Sequence, residues 1–420
     1  MKKDSISRRS FIKNSCAVAG GLGAVSASAG EKATRHTHSG RQQSEQTFDP
    51  WLELIADAFQ NNIREIFRFT NGSRILFVVK NNANGLGIRS VGPVVDDMDE
   101  LYGFAVVRVD EALALRDVGV RKPIVLMAHA CDSEAEELAR NNVFLTPFHD
   151  DARIQMERLA GKLNRPIGVH LYVDTGMNRI GMPYERALPW IEDLAASGAV
   201  KIEGTYTMTA GAKRGDTAFD DVQLDRFNTV VNEAKKKGIQ MGVLHAAPSR
   251  MIVKTPASHK LGVVRPGDAV YGGASYLFDQ QGNRLMDLKI TFRLKARVVR
   301  VEIVKRGEGV SFGHRYIAAK PTWIASIPIG HTDGYPYQAA GNANVLIGSK
   351  LYPVIPGGVN SNYILAEIGE EKTVDMGDVA TVIGPDHPEI APQAVAEKSG
   401  VNGDYWIMTK LSALLHRKVV

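Results

Sequence analysis

Cysteine is almost absent from this chain: Cys16 and Cys131 are the only two in 420 residues. Cys16 falls in an amino-terminal leader, so a mature fold would keep one thiol and no internal disulfide. A long apolar run near the amino terminus is missing too. The stretch from Ala17 to Ala27 is rich in Gly and Ala, too short and too weak to span a bilayer, and Cys16 does not follow an apolar lipobox. There is no internal repeat and no low-complexity tract. Hydrophobic residues at 44% and charged residues at 23% sit near the globular average, so composition signals no other class. Lasting charge excess is the last absence. The chain carries +5, but Lys2, Lys3, Arg8, Arg9 and Lys13 against Asp4 put +4 of it in the first 29 residues. A mature chain of roughly +1 argues against a nucleic-acid or membrane-surface footprint.

What is present begins with that leader. Ser7-Arg8-Arg9-Ser10-Phe11-Ile12-Lys13, the weakly apolar stretch, and Ala27-Ser28-Ala29 follow the order of a twin-arginine signal peptide with a small-residue cleavage site. Residues 1–29 are therefore expected to direct export of a folded protein to the periplasm. Residues 30–48 are polar and lack apolar periodicity, as a flexible linker does.

From residue 49 strands and helices alternate. Short apolar runs at Arg74–Val79, Tyr102–Val107, Pro123–Met127, Val143–Phe148, Gly168–Val173, Lys201–Thr207, Gly242–Ala246 and Gly262–Val264 read as buried parallel strands. Helical patterns begin at Asp110 and at Ser133, where Ser133 is a candidate N-cap with Glu136 at the capping-box position, and a third runs from Asp225 to Lys237. Eight such strands predict an α/β fold whose N-terminal part, residues 49–285, is a (β/α)₈ TIM barrel; a doubly wound open sheet is the competing arrangement. Residues 286–420 change texture. Alternating apolar positions over Leu288–Val304 and strands at Trp323–Ile327, Asn344–Ile347, Tyr363–Glu367 and Val379–Ile383 predict a mainly-β domain, closed by a helix around Tyr405–Leu415.

Functional groups of such barrels sit at the carboxyl ends of strands. Lys80 follows the first barrel strand directly, between apolar Val78-Val79 and the Asn-Gly-rich Asn81–Gly87. Taken alone, a loop lysine is more often simply solvated. Desolvated there, its amine would suit Schiff-base chemistry. The context decides between the two. Val78-Val79-Lys80-Asn81-Asn82-Ala83-Asn84-Gly85-Leu86-Gly87 resembles the cofactor-lysine segment of alanine racemases. In order behind it come Asp174-Thr175-Gly176-Met177-Asn178-Arg179-Ile180-Gly181, His245-Ala246-Ala247-Pro248-Ser249, Val264-Arg265-Pro266-Gly267-Asp268-Ala269-Val270-Tyr271-Gly272 and Ile327-Pro328-Ile329-Gly330-His331-Thr332-Asp333-Gly334-Tyr335, each similar to a motif of that family. The resemblance spans about residues 70–420.

It implies pyridoxal 5′-phosphate as cofactor, an amino acid as substrate, no metal, and a homodimer whose sites are shared between subunits. Lys80 would hold the cofactor as a Schiff base and act on one face of the substrate Cα. Arg265 would contact the pyridine nitrogen, and because a guanidinium keeps its proton, that nitrogen would stay unprotonated. Ser249, the backbone around Gly267, and Tyr405 would hold the phosphate. Arg179 would orient both the cofactor's phenolic oxygen and the substrate carboxylate.

The departures from the family pattern cluster in the same site. The family's second acid/base is a tyrosine in V-S-Y-G; here the segment reads Val310-Ser311-Phe312-Gly313-His314-Arg315-Tyr316, and Phe312 has no proton to give. His314, Tyr316 and His331 are the candidates to replace it, His331 standing at the tyrosine of I-G-Y-A-D-G. Met208 stands where the family stacks a histidine on the cofactor ring, Asn84 replaces a phosphate-binding tyrosine, Leu86 a histidine, and Pro248 an asparagine. Gly358-Val359-Asn360-Ser361-Asn362 replaces the substrate-binding R-x-x-M-D stretch, leaving Ser361 and Asn362 as candidate substrate contacts. Exported broad-specificity racemases also carry asparagine at the last position, and losing the carboxylate removes a charge that repels acidic substrates. Two functions follow: a periplasmic racemase of alanine or of many amino acids, or a divergent member doing one-sided pyridoxal phosphate chemistry or binding only.

Overall fold

The computed structural model describes residues 49–211, 218–254, 261–273, 278 and 283–420. The leader expected at 1–29 and the linker expected at 30–48 lie outside these described residues.

Strand β1 is Trp51–Leu54. The barrel strands follow as β2 (Arg74–Val78), β3 (Leu101–Val106), β4 (Ile124–Leu126), β5 (Val143–Phe144), β6 (Ile167–Asp174), β8 (Val200–Tyr206), β9 (Val243–Pro248) and β10 (Gly262–Arg265), with β7 a two-residue strand, Met182–Pro183, beside the end of β6. All pairings among them are parallel and run β5-β4-β3-β2-β10-β9-β8-β6. A parallel bridge between Leu145 and Val169 joins the two ends, so the sheet closes on itself. Closure is what rules out the open-sheet alternative, because an open sheet leaves two edges unpaired.

One half of the barrel interior is apolar: Leu76, Ala105, Val125 and Val263 pack together with Val78, Tyr102, Met127 and Phe144 around them. The other half is aromatic and polar, built from His170, Tyr172, Tyr206, His245 and Arg265, all buried. Gly204 makes room for it. A Cβ there would lie 2.5 Å from the His170 ring, so the strand has to lack one.

Helices wrap the outside. Ala56–Phe69 buries Ala58, Phe59, Asn62, Ile63 and Ile66, the stripe expected of a 3.6-residue period. Within that stripe the Asn62 carboxamide is satisfied by donating to the carbonyls of Val270 at 3.0 Å and Lys289 at 2.7 Å. The helix expected to open at Ser133 runs Asp132–Arg140, and its box is made two residues earlier: the Glu134 carboxylate accepts the Cys131 N–H at 3.0 Å. Cys131 is the residue with extended backbone, which an N-cap requires. The helix expected from Asp225 begins earlier, at Ala218, and ends at Lys236.

The second domain is a nine-stranded sheet. It contains β11 (Phe292–Arg297), β12 (Arg300–Val304), β15 (Thr322–Ile327), β16 (Asn344–Ile347), β17 (Lys350–Val359), β18 (Ile364–Gly369), β19 (Val379–Ile383) and β20 (His416–Val419), while β13 (Gly309–Val310) and β14 (Tyr316–Ile317) form a separate hairpin. The ninth strand is β1. Trp51–Leu54 sits before the barrel in sequence but pairs antiparallel with β11 and parallel with β20, so the first and last described strands share one sheet. The expected closing helix forms over Gly403–Lys410 and stops there, because Leu411 turns extended and the chain enters β20. No described helix is long and apolar enough to cross a membrane.

Candidate active site at the carboxyl end of the barrel

A cavity of about 290 Å³ opens at the carboxyl ends of the barrel strands. Its walls bring together Lys80, Arg179, Ser249, Arg265, Gly267 and Tyr405, the six residues assigned to the cofactor from sequence. Asn84, Met127, Tyr172, Tyr206, Met208, Arg250 and Asp268 complete much of the lining.

Lys80 stands where β2 ends, and the chain behind it turns the wrong way for L-residues. Asn81, Asn82, Ala83 and Asn84 all have φ between 52° and 56°. Each such residue costs about 1–2 kcal/mol, least for asparagine, so three asparagines make the turn tolerable and Ala83 does not. Asn82 anchors it: its N–H donates to Glu111 Oε1 at 3.1 Å and its Oδ1 accepts the Ile88 N–H at 2.9 Å. Glu111 is itself buried, its other oxygen accepting the Val107 N–H at 3.2 Å.

Arg265 is the most constrained side chain of the site. It is wholly buried, and burial pulls its pKa down to about 10, still charged at neutral pH. Nη1 donates to His245 Nδ1 at 2.7 Å and to the His245 carbonyl at 2.9 Å. Nη2 donates to the Thr207 carbonyl at 2.7 Å, with Met208 Sδ at 3.7 Å and the Ala246 carbonyl at 3.3 Å. The guanidinium carbon sits 5.0 Å from the Tyr206 ring centre, a favourable face for a cation. Among the described residues, Nε–H is the one Arg265 donor without an acceptor.

These bonds assign the histidine tautomers. Accepting at Nδ1 from Arg265, neutral His245 carries its proton on Nε2 and donates it to His170 Nδ1 at 2.9 Å. The His170 proton then lies on Nε2, which is buried without a partner. Burial and the Arg265 charge hold both rings neutral, His170 with its pKa down to about 3 and His245 well below its ordinary value. His170 stacks on Phe144, His245 on Tyr206, and Tyr206 on Tyr172, so the guanidinium rests on a ladder of rings.

The loop bearing Arg179 is folded by one carboxylate. Asp174 Oδ1 accepts the N–H groups of Gly176 at 3.0 Å and Met177 at 2.8 Å, and Oδ2 accepts that of Asn178 at 2.9 Å. This is why the motif begins with aspartate: an ionised carboxylate satisfies three amides of a tight loop. On the opposite wall Ser249 Oγ accepts the N–H of Gly267 at 3.0 Å and of Ala269 at 3.3 Å, leaving its own hydrogen to donate outward. Tyr405 OH accepts from Asn81 Nδ2 at 3.3 Å.

The cavity therefore offers an amine, a buried cationic N–H, a hydroxyl beside backbone amides, a phenol and a thioether wall. A pyridine ring bearing an aldehyde and a phosphate fits that donor set. Arg265 Nε–H would face a ring nitrogen that can only accept, Ser249 and Tyr405 would hold an anion, and Met208 would pack on a ring face.

The other sequence candidates lie elsewhere in the chain, and none lines this cavity. Phe312 sits at the tip of the β13–β14 hairpin with 84% of its surface exposed. The His314 ring folds back over Gly309 within the same hairpin. Tyr316 is drawn against Glu367, and burial with that carboxylate pushes its pKa up to about 12, a poor value for proton transfer near neutrality. His331 gathers with the substrate-site candidates: its Nε2 is 3.5 Å from Ser361 Oγ, its N–H donates to the Asn360 carbonyl at 2.9 Å, and Asn362 N–H donates to Asn360 Oδ1 at 3.1 Å.

Comparison with known proteins agrees with this geometry. The family model for the alanine racemase N-terminal domain matches residues 55–275, and that for the C-terminal domain matches residues 291–419. The chain belongs to the alanine racemase family. An alanine racemase of Carboxydothermus hydrogenoformans is 33% identical over 86% of this chain and 97% of its own length. Among solved structures, an alanine racemase of Clostridium difficile superposes with a TM-score of 0.80 at 23% identity, covering 90% of this chain and 97% of that one. A histidine racemase of Leuconostoc mesenteroides gives a TM-score of 0.80 at 24% identity, covering 89% and 99%. These last two show a shared fold.

Sequence reasoning missed Tyr172, Tyr206, His170 and Glu111. Tyr172, Tyr206 and His170 sit at alternate positions of β6 and β8, where a polar residue inside an otherwise apolar strand was the available signal. Glu111 read as a helix-opening acid, with nothing to say that it faces Asn82.

The neutral histidine pair has a consequence for stability. Above pH 6.5, their ordinary value, both are neutral whether folded or unfolded and contribute no pH dependence. As pH falls below that, the unfolded chain takes up protons that the folded core refuses, so stability is lost down to the folded value of about 3 for His170. Each histidine steepens the loss by about 1.4 kcal/mol per pH unit. His170→Gln, which keeps an acceptor for His245, is expected to reduce the slope by that amount in urea unfolding at a series of pH values between about 6 and 4. An unchanged slope would mean that His170 titrates normally in the fold.

Proposed function

We propose that this chain is a pyridoxal 5′-phosphate-dependent amino-acid racemase, acting on alanine or a broader set of amino acids in the periplasm as a homodimer. The observation that carries the reading is the convergence of Lys80 with the unused Nε–H of Arg265 in one cavity. When bound, the cofactor supplies an electron sink for the bond broken at the substrate Cα. The rest is done by the chain. Lys80 anchors the cofactor and carries the proton to or from one face of Cα. Arg265 donates to the ring nitrogen without giving up its proton, because the Thr207, Ala246 and His245 carbonyls hold the guanidinium charged. Keeping that ring nitrogen unprotonated, Arg265 would favour return of the proton to Cα. Ser249, the Gly267 backbone and Tyr405 bind the phosphate, and Arg179 orients the substrate carboxylate.

The second face of Cα needs a second proton carrier. In a homodimer the exposed Phe312 hairpin and the His331–Ser361 cluster of one copy would reach the cavity of the other, since neither serves the cavity of its own chain. His331 is then the better replacement: Tyr316 titrates too high and His314 is folded over Gly309. Phe312 is also the observation that favours a second reading, in which only the Lys80 face works and the chain exchanges a proton without inverting the centre.

The deciding measurement is incubation of the cofactor-loaded mature protein with mixed L-amino acids in D₂O, with chiral separation and mass detection. D-enantiomers carrying deuterium at Cα are expected, and deuterium in the L-enantiomer alone would establish the one-sided reading instead. Lys80→Ala should abolish both exchange and the visible absorbance of bound cofactor, and light scattering should give the mass of two chains. His331→Ala is expected to lower racemisation by roughly a hundredfold or more while exchange on the Lys80 face persists; no loss would place the second proton on another residue, with Phe312→Tyr, which restores a hydroxyl at the hairpin tip, the next variant. The leader reading rests on Arg8-Arg9. Changing both to lysine is expected to leave the protein in the cytoplasm by cell fractionation, and unimpaired export would remove the twin-arginine assignment.

A further inference from the structure

The left-handed turn behind Lys80 does not hold itself. Four consecutive residues of positive φ relax unless their surroundings over-determine them. On the barrel side Glu111 grips Asn82. On the other side the grip comes from the far end of the chain. Arg417, in β20, donates from Nε to the Leu86 carbonyl at 2.9 Å and from Nη2 to the Gly85 carbonyl at 2.8 Å. Its other donors reach the carbonyls of Ala413 at 3.1 Å, Leu415 at 2.6 Å and Ser412 at 3.0 Å. All five guanidinium N–H groups are thus used on backbone carbonyls, two of them on the Lys80 turn and three on the chain leading into β20. Burial alone shifts its pKa, downwards, so no carboxylate explains its place there.

The fit is close. A Cβ on Gly87 would lie 2.3 Å from Arg417 Cδ and 2.5 Å from Nε, so the side chain lies directly on that glycine. A lysine at this position has one charged point and cannot span both groups of carbonyls. β20 is fixed in turn by its parallel pairing with β1.

The geometry points to Arg417 as a positioning residue for Lys80: by gripping the carbonyls at the end of the left-handed turn, it aims the lysine amine into the cavity. This rests on Lys80 being the cofactor's lysine. A mere staple between domains would change melting temperature when lost. A positioning residue also changes how Lys80 reacts.

The test is capture of pyridoxal 5′-phosphate by Lys80 in the mature protein, freed of cofactor and then mixed with it across a pH series. Borohydride trapping and peptide mass spectrometry count the modified lysine, and melting temperature is recorded alongside. Arg417→Lys is expected to slow capture by roughly tenfold and to move its pH midpoint, at temperatures where the variant is fully folded. Gly87→Ala, which pushes the same side chain off the turn, should do the same and serves if Arg417→Lys does not fold. Arg300→Ala, on the exposed strand β12, is the control and should match the unaltered protein. Unaltered capture rate and midpoint in both turn variants, whatever their melting temperatures, would overturn the proposal and leave Arg417 a staple. Absence of capture in the unaltered protein, or capture that persists in Lys80→Ala, would overturn the reading of Lys80 and this proposal with it.

Discussion

A guanidinium buried inside a barrel is costly unless every donor and the charge are accounted for, and Arg265 sets that requirement for the whole upper half of this fold. The barrel answers with carbonyls from the ends of β8 and β9, a neutral histidine acceptor, and the face of Tyr206. The answer propagates downward. His245 has to accept from Arg265, so it has to donate to His170; His170 has to cross the interior, so Gly204 has no side chain. The apolar half of the barrel packs as an ordinary core beside it, with Phe144 of that half stacked on the His170 ring.

The same arrangement is what makes the cavity chemically directional. With both terminal nitrogens committed, the guanidinium can neither rotate nor release its proton, and it presents one N–H to a ligand. Opposite it, Lys80 is presented by a turn that the surrounding chain holds in a strained form. Preorganisation of this kind places a donor and an amine before a substrate arrives, so no reorganisation is needed at the moment of reaction. The second domain contributes to the same end through Tyr405 and through the strand that carries Arg417, which is why the sheet built from β1, β11 and β20 cannot be regarded as a separate module.

Against that preorganised cavity stands Phe312. Lys80, Arg179, Ser249, Arg265 and Tyr405 match the family pattern, while departures fall both on the cavity wall, at Asn84, Met208 and Pro248, and where the second proton and the substrate side chain would be handled, at Phe312, His331, Ser361 and Asn362. Loss of several site residues together points to drift or retooling, and retention of Lys80, Arg265, Ser249 and Tyr405 argues against full decay. The conserved fold leaves that question to the site itself.

Much of the architecture was legible in the sequence because it rests on local signals. Short apolar runs marked all eight barrel strands, and alternation over Leu288–Val304 marked β11 and β12; apolar runs marked β15, β16, β18 and β19, while β17, β20 and the β13–β14 hairpin were not foreseen. Several residues that line the cavity were legible for a related reason: Lys80, Ser249, Arg265 and Gly267 sit at or just past the ends of β2, β9 and β10, positions that order along the chain reveals. Asn81–Gly87 read only as an Asn-Gly-rich loop, and the left-handed backbone of Asn81 to Asn84, Ala83 included, came with the structure. The remainder was decided by tertiary structure. Closure of the barrel depends on β2 meeting β10, membership of β1 in the second sheet depends on β11 and β20, and the grip on the Lys80 turn comes from a residue more than three hundred positions away. These are pairings between segments remote in sequence, whose partners are chosen by shape and by the need to satisfy buried polar groups. Periodicity and motif order determine which elements form and which side chains carry chemistry; only the packed chain determines which of those elements touch, and so which charges, tautomers and strained turns can persist.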